Sequence, residues 1–188
     1  MIVCATHAQP SPIFSRWLQA KMRTYYIILL FLLTSCKSSK EYFYFDEIIH
    51  YRMNISNNNL FELEQIKNKT KIDSFLLKFT YEDEPKNIND TEFFSNLNSK
   101  YFKRTIIDNS KLIKFRDIFK EKYHFKTSET ACEPIFRDIF IFRKKNKLIG
   151  IAKICFECKK CYILGTNANT NEFGQSGDYN KLKNLVKN

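Results

Sequence analysis

The chain has 188 residues, with Lys+Arg 31 against Asp+Glu 20, a formal net charge of +11, and 44% hydrophobic residues. That apolar content belongs to a globular chain and excludes a disordered one, and the length accommodates one domain with room for a tail. Gly 4 and Pro 4 exclude collagen-like and Gly-rich phosphate-loop designs, and His 3 leaves little for a multi-histidine metal centre.

Met22 to Lys40 reads as an address. Arg23 precedes the uninterrupted apolar run Tyr25–Leu33. A membrane-spanning helix needs about 20 such residues, so this shorter run suits the core of an export signal. The run ends in Leu33-Thr34-Ser35-Cys36, which resembles the lipobox of bacterial lipoproteins: an aliphatic residue, two small residues, then the cysteine. The resemblance implies a signal peptide over 22–35, cleavage ahead of Cys36, and acylation of that thiol, palmitate included. Residues 36–45 then serve as anchor and tether, and 46–188 as a single domain. Stable anchoring takes more than one acyl chain, which a triacylated Cys36 supplies. In the family's pattern Asp after the cysteine retains the protein at the inner membrane. Lys37 stands there instead, which implies the outer membrane. Residues 1–21 stand ahead of the signal's charged end, where nothing so long is needed. The expectation is a start assigned upstream of the working Met22, or a leader extension. Cleavage would remove Arg16, Lys21 and Arg23 and no acid, lowering the net charge from +11 to +8.

Glu41–Phe45 is an aromatic exit from the tether. Ile49, Tyr51, Met53 and Ile55 alternate with His50, Arg52 and Asn54, the period of a half-buried strand. Ser56–Asn59 reads as a turn, followed by a helix near 60–67. Residues 72–81 fit a helix and a strand equally. A polar loop, 82–89, carries Pro85; Asp90 or Thr91 then caps a short helix containing Phe93, Phe94 and Leu97. Tyr101–Ile107 reads as a strand, and Ser110 as the cap of a helix burying Leu112, Phe115, Ile118 and Phe119. Ile135–Arg143 is apolar on both faces, as in a strand covered on both sides. With Lys147–Cys155 and Cys161–Leu164 it makes a three-stranded antiparallel meander. Asp178 is the expected cap of a terminal helix. The fold class is α+β, an antiparallel sheet with packed helices.

Four cysteines remain once Cys4 and Cys36 are set aside: Cys132, Cys155, Cys158 and Cys161. They could bind zinc or an iron–sulfur cluster, although the fourth cysteine and proline of bacterial ferredoxins and the histidine of a c-type haem site are missing. Cys155 and Cys158 could form a redox pair. They could also form structural disulfides, which an extracytoplasmic compartment permits. If Arg143 pairs with Lys147 around a three-residue turn, the extended ladder sets Cys132 opposite Cys158. The next turn sets Cys155 opposite Cys161. The sequence favours these two disulfides and no resident cofactor.

His50 falls on the polar face of the first strand and His124 follows a helix end; no motif places a nucleophile beside either. Arg137 and Asp138 interrupt an apolar strand and mark a possible cleft, since buried charges need partners. Phe173–Tyr179 carries two glycines and suits a loop with a helix cap better than a nucleotide site. Lysines are spread rather than clustered and no RNA-binding signature occurs, so nucleic acid is not an expected partner. Near an anionic membrane each lysine adds about 1 kcal/mol of attraction. Residues 132–188 also resemble a bacterial envelope lipoprotein family with a similar Lys153-Ile154-Cys155-Phe156-x-Cys158 strand, a resemblance that implies no activity. The reading is a non-catalytic, membrane-anchored envelope lipoprotein that binds or supports another envelope protein or glycan. A metal- or redox-handling lipoprotein and an envelope hydrolase are the alternatives.

Overall fold

A computed structural model describes residues 39–124 and 131–187. The expected signal peptide over 22–35, Cys36 and the start of the expected tether lie outside them.

Five antiparallel strands form one sheet: β1 (Glu47–Met53), β2 (Phe102–Ile106), β3 (Asp138–Lys144), β4 (Lys147–Cys155) and β5 (Lys160–Leu164), in the order β2-β1-β3-β4-β5. The helices are α1 (Asn57–Gln65), α2 (Lys71–Tyr81), α3 (Thr91–Asn96), α4 (Leu112–Ile118) and α5 (Asp178–Val186). The class is α+β, and β3-β4-β5 is the expected meander. β3 is the middle strand, which explains why Ile139, Phe140, Ile141 and Phe142 are all buried. One face packs Ile48, Phe140, Phe142, Ala152 and Ile154 against Phe115 and Phe119 and against Tyr179 and Leu182 of α5. The other packs Ile49, Tyr51, Ile139, Ile141 and Ile151 against Leu60, Leu76, Phe79 and Phe93 of α1–α3. Period-two alternation thus feeds two cores.

Local signals explain the helix starts, and several differ from the sequence expectation. Ser56 caps α1, accepting from Asn59 N at 3.1 Å, so the expected turn at 56–59 is the first turn of a helix. Residues 72–81 are helical because Thr70 and Asp73 form a reciprocal capping box, a spacing visible in the sequence. Asp90 caps α3 as expected. Asp108, rather than Ser110, caps the 3-10 turn Asn109–Lys111 that leads into α4. The residue before α5 is Gly177, in the left-handed region at φ 75°, while Asp178 is the first residue of the helix. Its buried carboxylate pairs with Lys122 and accepts from Gly174 N.

Tyr42, Phe43 and Phe45 are core residues, so packing begins ahead of position 46. Phe43 stacks on Phe142 at 4.4 Å between centroids and covers Gly150, where a Cβ would lie 2.0 Å from the ring. A Gly150→Ala variant should therefore lose about 1–3 kcal/mol from overpacking. Urea unfolding should report this as a lower midpoint at unchanged slope; an unchanged midpoint would show that Phe43 does not need this seat.

Candidate functional site

The β3–β4 register decides what the cysteines can do. Lys145 and Asn146 form a two-residue turn with φ 48° and 64°, and Lys144 pairs with Lys147. Both positive φ values match the primed turn that suits a hairpin's twist. An irregularity between Phe142 and Arg143 then shifts the ladder, so that Phe142 faces Gly150 and Asp138 faces Ile154. The three-residue turn expected from sequence is therefore corrected, and the same ladder extended would set Cys132 opposite Lys160. The chain leaves the ladder first: Phe136 N donates to Thr80 O, and Met53 N to Arg137 O. Outside the ladder, Cys132 meets Cys158 as a disulfide pair with a Cα separation of 5.5 Å, inside the usual range.

Cys155 and Cys161 do not form the second expected bond. Across β4–β5, Cys155 faces Lys160 and Ile154 faces Cys161. That one-residue displacement turns the two thiols to opposite faces. Cys155 lies in a small buried cluster with Phe136 and Cys158, whereas Cys161 packs against the core under α5. Burial raises the Cys161 thiol to about 11, opposed by a hydrogen bond with Tyr179. The four sulfurs do not converge, and no group of three or more His, Cys, Asp or Glu side chains suited to a metal is found among the described residues.

Next to this cluster stands Lys153, whose side chain is fully buried. Its Nζ donates to Glu82 O at 2.6 Å and lies 4.5 Å from the Phe136 ring centre and 5.1 Å from that of Phe79. Burial pulls the ammonium down to about 7, against the carboxylates of Asp83 and Glu84, which act to raise it. Sequence reasoning missed this site. The available signal was a lysine flanked along its strand by the apolar residues Ile151, Ala152, Ile154 and Cys155.

Arg137 and Asp138 engage different partners. The Arg137 guanidinium donates to Ile55 O and Asn57 Oδ1, tying the entrance of β3 to the cap of α1. Asp138 accepts from His50 Nε2 at 2.7 Å, with both side chains buried and Arg52 at 4.0 Å. His50 also stacks on Phe140 at 4.6 Å. The expected polar face of β1 is thus covered at His50, because this strand is second from the edge and carries a layer on each side. His50 borders a cleft of about 450 Å3 with Arg52, Lys103, Thr105, Lys111 and Lys187. Four cationic side chains face one exposed acid there, Asp108, which makes the cleft suited to an anionic group.

The structure also places Ser176 Oγ 3.0 Å from His124 Nε2, joining the glycine-bearing loop to a histidine that no motif had linked to a nucleophile. Glu172 engages the His124 backbone N–H at 2.7 Å rather than its ring. The pair therefore differs from a hydrolytic triad, whose acid orients the imidazole itself. No protein-family model, no curated protein and no solved structure matches this chain.

Proposed function

We propose that this chain is a lipid-anchored envelope lipoprotein whose domain binds or supports another envelope component, protein or glycan, without catalysing its turnover. The observation that carries the reading is the export run ending in Leu33-Thr34-Ser35-Cys36, followed by a domain with Cys132 and Cys158 at disulfide distance. Disulfides persist in oxidising compartments and are rare in the cytosol, so the two features call for the same location. Anchoring would be through acylated Cys36 in the outer membrane. The basic cleft beside His50 is the surface best suited to an acidic partner group, and nucleic acid is not part of this reading. The free Cys155 packed beside Cys158 favours the redox alternative over the metal one.

Mass spectrometry of the mature protein should find an acylated cysteine at its N-terminus, with nothing of 1–35 remaining. A Cys36→Ser variant should leave the membrane fraction. Retention of Met1 in the wild type, together with firm membrane association of the variant, would overturn the reading.

A further inference from the structure

The geometry points to a three-sulfur exchange unit, in which Cys155 displaces Cys132 from Cys158 and so delivers a reactive thiol to the surface at Cys132. Cys155 and Cys158 are 1% and 6% exposed and share one buried cluster with Phe136. Cys155 ends β4 and Cys158 lies in the turn that leads to β5, with the Cys158 backbone N–H pointing at Cys155 Sγ at 3.4 Å. Residues three apart in a turn bring their Cα atoms within about 7 Å, which overlaps the separation a disulfide needs. Cys132 is exposed and belongs to no strand, so releasing it breaks no ladder hydrogen bond. Cys161 faces the other core and takes no part.

The step is balanced within the chain. Cys155 gives its thiol proton to water, and its sulfur attacks Cys158 Sγ. The Cys155–Cys158 bond forms as the Cys132–Cys158 bond breaks, and the electron pair leaves on Cys132 Sγ, which takes a proton from water. One disulfide and one thiol stand on each side, so no external oxidant or reductant enters. The product exposes a thiol whose deprotonated form is able to attack a disulfide of another exported protein. This inference deepens the redox alternative and rests on the oxidised Cys132–Cys158 pair, not on the lipid. Failure of the anchor test leaves it standing, and its own failure leaves the anchor reading standing.

The test maps disulfides in the full chain, purified without reductant, equilibrated in glutathione buffers, quenched in acid and alkylated before digestion. A Cys155–Cys158 linked peptide should accompany Cys132–Cys158, with alkyl label on Cys132. Cys155→Ser should lower labelling of Cys132 about tenfold or more, while Cys161→Ser should leave it unchanged. The inference is overturned if Cys132–Cys158 is the only linkage at every glutathione ratio, or if Cys132 labels equally in Cys155→Ser. Should that variant fail to fold, the linked peptides of the wild type decide by themselves.

Discussion

Replacing Lys153 with methionine should stabilise the protein at pH 7 by about 2 kcal/mol and abolish a rise in stability between pH 7 and 9. The folded protein holds this amine at about 7, against 10.5 in an unfolded chain. Between those values the unfolded state binds one proton more, so unfolding takes up a proton and stability increases with pH. The gain is complete only above the unfolded value and is lost as pH falls from there towards 7. From pH 7 to 9 the wild type should gain about 2 kcal/mol from this group. The cost of burying the amine at pH 7 is about 4 kcal/mol by the same relation. Loss of the hydrogen bond to Glu82 O returns about 1–2 kcal/mol of that in the variant, and methionine fills a similar volume without a charge. The measurement belongs below pH 9. Above it, Cys161 and the buried tyrosines Tyr42 and Tyr179 oppose the trend, since burial raises all three and stability then falls as their unfolded counterparts ionise. Urea unfolding at pH 7, 8 and 9 for both proteins suffices. Equal slopes against pH in wild type and variant would show that Lys153 is not the group responsible.

Removing Cys132 and Cys158 together should cost about 3.5 kcal/mol, the chain-entropy value for a separation of 26 residues. For a chain of this size that corresponds to a melting temperature lower by roughly 10 °C. The double variant should keep its fold, because Cys132 lies outside the sheet and Phe136 remains tied to Thr80 O. Thiol counting under denaturing, non-reducing conditions gives the companion result: two reactive thiols among the four C-terminal cysteines, with Cys158 protected and Cys161 reactive. An unchanged melting temperature, or four reactive thiols in protein purified without reductant, would show that Cys132 and Cys158 do not staple the domain.

Much of this architecture was legible locally. Alternation in 49–55, the doubly apolar run around Ile139–Phe142 and the polar turn after it led to the right strands and to the C-terminal meander. Side-chain direction in a strand is set every second residue by the backbone itself. The helix at 71–81 was legible too, through Thr70 and Asp73, but only by weighing the cap above a period that fitted both structures. The apolar run Tyr25–Leu33 and the Leu33-Thr34-Ser35-Cys36 pattern after it are likewise local, and in the proposed reading they serve processing enzymes rather than the fold.

What the tertiary structure decided is register and cover. A two-residue turn in place of three, and one irregularity at Phe142/Arg143, moved the ladder under Cys132. One residue at the next turn sent Cys155 and Cys161 to opposite faces. Such shifts leave the apolar pattern of each strand nearly intact, so the sequence of a single strand does not select among them. His50 became buried because a second layer covers its face and Asp138 of the neighbouring strand supplies an acceptor. Lys153 became buried because Phe79 and Phe136, far apart in sequence, close over it. Ser176 met His124 by the same route. A polar residue's environment comes from the layers packed around it, and those are assembled from segments that local periodicity does not connect.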